Sequence, residues 1–545
     1  MEICWGHDTD VLEDVIRDFD GNWTGTGAIE NAGVNDTERL ALELGEYMVS
    51  EVVHTGAEFI EVDYNVYAAG DDVTVYYRHG NTSEACQAAA WNLYAAPFES
   101  DGYAQVKLEA TWPLRASGSN GRYFVDYNGE PVFLAGFHTW YNPQDGGDSS
   151  PPDPLDWDEL LEELTDRGLN CIKFWSMESL QNWSDTDGQY FNPPQWERTG
   201  PGNANDGGLK VDLAQVNETW LARLRSRAVE CLNNGVYVIV QFFQGWQNET
   251  DKGGTGDPVT YHPMLAANNI NSVDGDDDDD GELLEIHTDA DNNAWAYQQD
   301  LIEAVIDVLD DLPNVLYEVS NEDTGSANNT DWQEAVIAHI RGYQALDHPV
   351  GMTVQYPNGD NSVLDASGAD WVSYSGGKAD AVHSDSDPVS LYDTDHTVGL
   401  TDEYSWLWEA FCNGHGGCLY MDEWDGALYG SDRRENATYV LIRDNLGYLM
   451  DLVGLLDNLL LMTPQPDLCS TGYCLARDHA SAAEYVCYQD GTGNFTLDLT
   501  NAGGTLSIRW LKCADGTTDT GSVSGGAERT LSPPWAGVVV AYVYH

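Results

Sequence analysis

The sequence predicts an α/β fold, with a (β/α)8 barrel over residues 122–458 between two β-sandwich domains at residues 1–115 and 459–545. Three observations support this prediction. The chain of 545 residues is too long for one compact domain. Eight short apolar segments alternate with helical patterns in its middle, which is the strand count of such a barrel. The segments on either side alternate apolar and polar residues, which is typical of antiparallel strands.

The first 112 residues have the composition and rhythm of an all-β segment. β-branched and aromatic residues alternate with polar ones at 46–54, 59–67 and 72–78, with a Thr-Gly turn at 55–56. This pattern predicts an N-terminal sandwich suited to binding or attachment. The Gly- and Ser-rich stretch 116–121 is predicted to link this domain to the barrel.

The middle of the chain supplies the barrel. The predicted helix at 156–167 has Leu160, Leu161 and Leu164 on one face, which is a helical spacing. An open doubly wound sheet is the alternative, but no Gly-x-Gly-x-x-Gly follows an early strand, so dinucleotide binding has no support. The predicted strands are 132–137, 171–175, 237–243, 315–320, 350–356, 371–374, 389–392 and 418–421, and the other predicted helices are 218–232, 294–309, 332–346 and 435–452.

The last segment returns to β structure. Alternating runs at 485–488, 495–499, 505–510 and 537–543 are separated by Gly-rich turns. They predict a second, smaller sandwich.

Charge narrows the classes of partner. Lys and Arg number 23 and Asp and Glu 92, for a net charge of −69. Such a surface repels nucleic acid and anionic lipid, and no apolar run reaches the length of a membrane span. The acidity indicates a halophilic protein, since salt screens its self-repulsion. The acidic run 274–282 could hold Ca²⁺, but it lacks alternating ligand spacing, so a solvated loop is expected.

The N-terminus carries no signal-peptide pattern, since it lacks a basic start and an apolar core. We expect an extracellular, virion-associated or surface-associated protein, and the oligomeric state is open. Ten cysteines in 545 residues are too few for a disulfide scaffold, although Cys412 with Cys418 and Cys469 with Cys474 could bridge. No cluster has zinc spacing, so neither a metal nor a cofactor is expected.

The polar residues that follow the predicted strands indicate the chemistry. Active sites of such barrels lie at the carboxyl ends of the strands, and here those ends carry carboxylates and aromatic rings. Hydrolysis of a glycosidic bond needs two carboxyl groups, and aromatic rings stack on sugars. We therefore predict a carbohydrate substrate. The predicted substrate-binding residues are Asn321, His138, Trp140, Trp175, Trp246, His262, Tyr356, Asp395, His396 and Trp424.

The most informative motif is Asn321-Glu322, which ends the buried segment of the predicted fourth strand. This arrangement resembles the clan of (β/α)8 glycoside hydrolases whose fourth strand ends in Asn-Glu. The resemblance implies that Glu322 is the catalytic acid/base and that Asn321 holds a sugar hydroxyl next to the anomeric carbon.

Further motifs resemble one bacterial group, the cellulase-like barrel proteins whose C-terminal domain is named for collagen binding. The resemblance covers about 122–545 and does not itself imply collagen binding. One departure is Lys173, where the relatives usually have Arg, because Lys cannot make a bidentate contact. The N-terminal segments 1–7 and 46–53 weakly resemble modules of phage and environmental proteins. The motifs are 135–142, 198–202, 206–208, 223–227, 348–353, 393–396 and 467–475.

The sequence offers three candidates for the second catalytic carboxylate. The clan usually has a Glu nucleophile at the end of the seventh strand, whereas the strand here ends in Asp393. Asp393 is the first choice for the catalytic nucleophile, and Asp395 and Glu403 are the alternatives. A further alternative is that Asp393 and Asp395 cap a loop or pair with Arg198, which would leave the barrel inactive.

The sequence thus predicts a glycoside hydrolase that acts on a poly- or oligosaccharide, by a retaining mechanism with Glu322 as acid/base and Asp393 as nucleophile. The alternative is a glycan-binding or structural virion or surface protein with an inactive barrel. A third hypothesis is a metal-dependent hydrolase that uses Asp393, Asp395, His396 and His138. The sugar, the linkage and endo or exo action are open.

Overall fold

The computed structural model describes, within residues 1–112, a set of β-strands without their side chains. From residue 113 it describes the chain to residue 545 except 183–187, 251–256, 289–291, 324–326, 357–358, 429 and 431, and the side chains of 327–328. In this part of the chain no helix is both long enough and apolar enough to cross a bilayer.

The N-terminal strands pair in antiparallel fashion, as the alternating pattern predicts. A long pair, Val73–Gly80 with Tyr103–Ala110, lies at the centre of the larger sheet. How the sheet faces pack lies outside the described residues, so the sandwich stays a prediction. The other strands are Trp23–Gly25, Ala28–Asn31, Glu38–Ala41, Tyr47–Ser50, Val53–His54, Phe59–Ile60, Asn92–Leu93 and Phe98–Glu99.

Eight parallel strands form the predicted barrel, and each pairs with its neighbour along the chain from β2 to β8. Strand β8 also pairs with β1 over five residues. Their buried side chains are almost continuously apolar, as expected for strands covered on both faces. The strands are Leu134–His138 (β1), Cys171–Phe174 (β2), Tyr237–Gln244 (β3), Val315–Asn321 (β4), Val350–Thr353 (β5), Trp371–Ser373 (β6), Val389–Asp393 (β7) and Gly417–Met421 (β8).

The join between β1 and β2 is made by Asn170. Its backbone N–H donates to the carbonyl of Ala135 at 3.0 Å, and its side chain accepts from the Ala135 N–H at 2.9 Å and donates to the Phe133 carbonyl at 3.0 Å. The strands approach so closely here that a Cβ on Gly136 would lie 1.7 Å from the carbonyl oxygen of Cys171. The backbone and the side chain of Asn170 therefore supply the hydrogen bonds that join β1 to β2.

The floor of the barrel is closed by the chain that enters it. Short strands Arg115–Ala116, Phe124–Val125 and Pro131–Val132 form a small antiparallel sheet. Leu114 and Phe124 pack with residues of all but β5 of the barrel, such as Ile239 and Leu419. The residues on either side of the predicted linker 116–121 thus close the end of the barrel opposite the carboxyl ends of the strands.

The helices surround the sheet and bury their apolar faces against it. In the first, Asp156 caps the N-terminus by accepting from the Glu159 N–H, and Leu160, Leu161 and Leu164 are buried. Two short helices after β5 and β7 were not expected from the sequence. The helices are Trp157–Thr165, Glu218–Asn233, Trp295–Leu309, Ala327–Tyr343, Asn361–Ala366, Ser405–Asn413 and Ala437–Val453.

The segment after β2, expected to be a long loop, contains antiparallel hairpins. Trp196–Asn203 pairs with Leu209–Val216, and Asp145–Gly147 pairs with Tyr190–Asn192. Arg198 and Asp206 form an ion pair inside the first hairpin. The predicted alternative pairing of Arg198 with Asp393 or Asp395 is therefore wrong.

The C-terminal segment forms antiparallel sheets, as predicted. Six strands make the larger sheet, and Phe495–Asp498 with Glu528–Leu531 makes a two-stranded one. Side chains of both, among them Leu497, Leu531 and Ile508, share one apolar core. The strands of the larger sheet are Thr463–Pro464, Cys474–Arg477, Glu484–Gln489, Thr505–Lys512, Thr518–Ser524 and Val539–Tyr544.

We predict that Asn170→Ala lowers the free energy of unfolding by about 1–3 kcal/mol, because it removes two side-chain hydrogen bonds and leaves polar groups of β1 without partners. Urea denaturation followed by circular dichroism measures the change. The control is Asn234→Ala, at the exposed end of helix Glu218–Asn233, which we expect to cost less. An equal loss in the two variants would contradict the role of Asn170.

Candidate active site

The carboxyl ends of β1, β2, β4 and β7 converge on the ammonium group of Lys173. Its Nζ lies 2.9 Å from Glu318 Oε1, 2.6 Å from Asn321 Oδ1 and 3.8 Å from Asp393 Oδ2. All four side chains are buried. Burial lowers the pKa of Lys173, but Glu318, Asp393 and Asp395 more than reverse this, so its pKa is raised and the amine is charged.

Asp393 ends β7 and is held as a carboxylate. Its Oδ1 accepts from the Asp395 N–H at 3.0 Å and lies 3.3 Å from His138 Nε2. Burial raises the pKa of Asp393, but the charges and hydrogen bond of His138 and the charge of Lys173 outweigh it, so the pKa is lowered. The side chain is therefore an ionised group that contacts a cation and an imidazole.

A hydrogen bond joins His396 to Asn321 beside Lys173. Burial lowers the pKa of His396 to about 3, so the imidazole is neutral. Its Nε2 lies 3.0 Å from Asn321 Oδ1, an acceptor, and its Nδ1 lies 2.8 Å from Ser373 Oγ. The neutral ring thus donates from Nε2 and accepts at Nδ1. Asn321 Oδ1 receives two donors, which fixes its amide, and the Nδ2 group donates to Gln244 Oε1 at 3.3 Å.

Asp395 has a protonation behaviour opposite to that of Asp393. Burial and the neighbouring Asp393 charge raise the pKa of Asp395 to about 7. Its Oδ2 lies 3.4 Å from His396 Nε2. Two acids two residues apart are thus driven to different protonation states, which is a common property of catalytic carboxyl pairs.

Glu322 follows β4 directly and has a left-handed backbone, with φ of +50°. Its N–H donates to Thr353 Oγ1 at 3.3 Å, and its Oε1 accepts from the Tyr356 N–H at 3.2 Å. A left-handed conformation is unfavourable for Glu, and such strain is concentrated at functional sites. The side chain is 7% exposed, more than Asp393 at 1%.

Three tryptophans expected at the strand ends line this region. The rings of Trp140 and Trp175 meet edge to face at 6.0 Å, and Lys173 Nζ lies 4.9 Å from the Trp175 ring. Trp424 lies under the guanidinium of Arg434 at 5.4 Å. All three are at most 3% exposed, so in this structure they are walls of the site rather than open platforms.

Other predicted residues lie apart from the Lys173 cluster. Glu403, the alternative nucleophile, is exposed just before helix Ser405–Asn413 and has no described contact with that cluster. Trp246 is half-buried in the short turn Gly245–Asn248 after β3. Tyr356 contacts Glu322 through its backbone only in the described contacts. His262 belongs to a second group of buried residues.

That second group combines two acids and two histidines behind the ends of β2, β3 and β4. Glu178 accepts from the Gln244 N–H at 2.6 Å and lies 3.7 Å from His262 Nε2, while His287 lies 3.1 Å from Asp323. Burial raises the pKa of Glu178 to about 7 and lowers that of His262 to about 3. Glu178 and Asp323 follow the predicted second and fourth strands but were not among the predicted site residues, and the sequence pattern did not indicate His287.

The metal hypothesis has no geometric support in the described part of the chain. Ligand atoms of Asp393, Asp395, His396 and His138 do not converge as a group there. The one described group of three converging ligands is Asp276, Asp278 and Glu285, in the surface loop that includes the acidic run. Asp276 and Asp278 there cap backbone N–H groups of Asp280 and Gly281, as a solvated loop would.

Comparison with known proteins bears on the fold and on the class of enzyme. Residues 125–354 match the family model of the cellulases of glycosyl hydrolase family 5. A solved glycoside hydrolase family 5 structure from Bacteroides vulgatus is 14% identical, with a TM-score of 0.54 over 79% of this chain and 93% of that one. Another solved glycoside hydrolase is also 14% identical, with a TM-score of 0.51 over 79% and 97%. No curated protein matches the sequence significantly.

The protein is therefore a glycoside hydrolase, an enzyme that hydrolyses O-glycosidic bonds of carbohydrates, built on a (β/α)8 barrel. The predictions of an enzyme, of this reaction and of a carbohydrate substrate are confirmed.

We predict that Asp395→Asn makes the free energy of unfolding less dependent on pH. Between pH 3.8 and about 7 the folded protein keeps a proton on Asp395 that the unfolded chain has lost, so the contribution of Asp395 to the free energy of unfolding falls as pH rises through this window. The slope should differ by at most about 1.4 kcal/mol per pH unit. Urea denaturation at several pH values measures it, with exposed Asp402→Asn as the control. Identical slopes in wild type and Asp395→Asn would refute the raised pKa.

Proposed function

We propose that Glu322 is the acid/base and Asp393 the nucleophile of a retaining hydrolysis of a poly- or oligosaccharide. The observation that carries this proposal is the Lys173 cluster, which keeps Asp393 ionised and fixes Asn321 beside Glu322. A nucleophile must be unprotonated, and an acid/base must be able to gain and lose a proton. Asp393 is proposed for the first role and Glu322, directly after β4, for the second.

In the first step Asp393 attacks the anomeric carbon and Glu322 protonates the departing oxygen. The bond between the anomeric carbon and that oxygen breaks as the bond to Asp393 forms. In the second step Glu322 takes a proton from water, which attacks the same carbon and releases Asp393. Lys173 and His138 would stabilise the Asp393 carboxylate at the start and end of the cycle.

Asn321 is proposed to hold a sugar hydroxyl next to the reacting carbon. Lys173 and His396 both donate to its Oδ1, so its amide Nδ2 is turned toward other acceptors. Trp140 and Trp175 are proposed to pack against the sugar ring, since they adjoin His138 and Lys173 at the same strand ends. Trp246, Trp424, Tyr356 and His262 remain proposals for substrate contacts farther along the site.

Asp395 remains the alternative nucleophile. It lies in the same loop as Asp393, but its raised pKa leaves it partly protonated near neutral pH, which weakens it as a nucleophile. Glu403 is a weaker alternative because it is exposed and apart from the cluster. Three further hypotheses remain predictions. They are a glycan-binding or virion-associated protein with an inactive barrel, membership of the cellulase-like group with the C-terminal domain named for collagen binding, and a location outside the cell.

We predict that Glu322→Gln lowers kcat on a glycoside with a poor leaving group by about 10²–10⁴-fold, since general acid catalysis is lost. An aryl glycoside with a good leaving group should lose less in its glycosylation step, because departure needs less protonation. Initial rates on a panel of glycans and aryl glycosides, measured in about 1 M salt to screen the net charge of −69, test this. Full activity of Glu322→Gln on the poor leaving group would falsify the assignment.

We predict that a 2-deoxy-2-fluoro glycoside with a good leaving group labels Asp393 covalently. Trypsin should release residues 379–433 as one peptide, since no Lys or Arg lies between Lys378 and Arg433. Fragmentation of this peptide by mass spectrometry distinguishes Asp393 from Asp395 and Glu403. Asp393→Asn should remain unlabelled, whereas the matched Asp402→Asn control should label as the wild type does. A label on Asp395 or Glu403 would reassign the nucleophile.

A further inference from the structure

Three cysteines meet inside the C-terminal sheets. Cys469, Cys474 and Cys487 are at most 4% exposed and share one apolar core. Cys474 and Cys487 lie directly opposite each other on neighbouring antiparallel strands, and their sulfur atoms are 3.8 Å apart. All eight described cysteines are thiols in this structure.

The register of the two strands suits a cross-link. The neighbouring pair is hydrogen-bonded, since the Tyr488 N–H donates to the Tyr473 carbonyl at 3.3 Å. Hydrogen-bonded and non-hydrogen-bonded pairs alternate, so Cys474 and Cys487 form a non-hydrogen-bonded pair, whose Cα atoms are typically about 4.5 Å apart. This separation lies inside the range of about 4.4–6.8 Å that disulfides span.

The pairs suggested by sequence proximity are not the ones that the fold brings together. Cys412 Sγ donates to the Val486 carbonyl and Cys418 Sγ to the Leu407 carbonyl, on different sides of the helix Ser405–Asn413. The partner of Cys474 in the sheet is Cys487, thirteen residues away, rather than Cys469. A disulfide between facing strands requires no rearrangement of the backbone.

Cys469 differs from the other two cysteines in the hydrogen bonds that its thiol receives. A hydrogen bond from Cys487, together with those of Thr471, lowers the pKa of Cys469 to about 7 against the opposing effect of burial. Its Sγ lies 3.1 Å from Thr471 Oγ1. The thiolate is the nucleophile in disulfide exchange, and a thiol with a pKa near ambient pH reacts best.

We propose that Cys474 and Cys487 form a disulfide in an oxidising environment, with Cys469 as the thiol through which the oxidant enters. The oxidant is a small-molecule disulfide, RSSR. The Cys469 thiolate attacks one sulfur, the RSSR bond breaks and RS⁻ leaves. Cys487 then attacks the Cys469 sulfur and the second RS⁻ leaves. Cys474 finally attacks Cys487 and restores the Cys469 thiolate. The two electrons and the two protons of Cys474 and Cys487 pass to RSSR, which becomes two RSH.

The experiment treats the folded full-length protein with oxidised glutathione, quenches with acid, alkylates free thiols and maps peptides without reduction. Trypsin leaves Cys469 and Cys474 in residues 444–477 and Cys487 in residues 478–509. Chymotrypsin then cuts after Tyr473, which separates Cys469 from Cys474. We expect the wild type to show a link between Cys474 and Cys487, with Cys469 alkylated.

Variants separate the roles of the three thiols. Cys487→Val should give no link, Cys474→Ser should stop at a link between Cys469 and Cys487, and Cys469→Ser should reach the wild-type link at least tenfold more slowly. Cys513→Ser, in another buried cysteine of the same region, is the matched control and should behave as the wild type does. The melting temperature should rise as the link between Cys474 and Cys487 forms, at the wild-type rate in Cys513→Ser and more slowly in Cys469→Ser. Complete alkylation of Cys474 and Cys487 in the oxidised wild type, or a final link at Cys469, would overturn the proposal.

Discussion

The candidate site depends on one buried cation. Lys173 stands among Glu318, Asn321 and Asp393 in the buried interior of the barrel. Burial raises the pKa of Glu318 to about 7 and the charge of Lys173 opposes this rise, so removal of the ammonium group would further disfavour a Glu318 carboxylate beside Asp393. The same group orients Asn321 and keeps Asp393 ionised. The contacts of the Lys173 ammonium group therefore stabilise the barrel interior and also keep Asp393 ionised.

The use of Lys rather than Arg changes how this interaction works. A guanidinium would bind one carboxylate through two parallel hydrogen bonds, whereas an ammonium group distributes three donors over separate acceptors. Lys173 accordingly contacts three side chains from two strands. The distance from Lys173 Nζ to Asp393 Oδ2, 3.8 Å, is the longest of the three. His138 contacts the other oxygen of Asp393, so this carboxylate is held from two sides.

The features set by local pattern were predictable from the sequence. The eight strands and the longer helices lie within a few residues of their predicted positions, since short apolar runs alternate with helical patterns along this segment. Helix Ser405–Asn413 was missed because it has only nine residues and most of them are buried, so its pattern resembles a short apolar run. The hairpin Trp196–Asn203 with Leu209–Val216 was missed although its second strand partly alternates buried and exposed residues.

The composition of the site was only partly predictable. Strand ends identified Asn321, Glu322, Asp393, Asp395, His138 and His396, because barrel topology brings those ends together. Glu318 was missed because it lies inside β4 rather than at its end. A signal existed, since Glu318 and Lys173 are opposite charges in two otherwise apolar strands, and buried charges are usually paired. The pairing of Cys474 with Cys487 required the strand register, which sequence spacing does not contain.

The left-handed backbone of Glu322 is unfavourable for stability, whereas the proposed reaction needs a carboxyl group at this position. Gly or Asn would adopt a φ of +50° at lower conformational cost than Glu does. Evolution toward greater thermal robustness alone would thus tend to discard the side chain at residue 322. Glu at this position has a conformational cost. The hydrogen bonds that Glu322 makes with Thr353 and Tyr356 help to offset this cost.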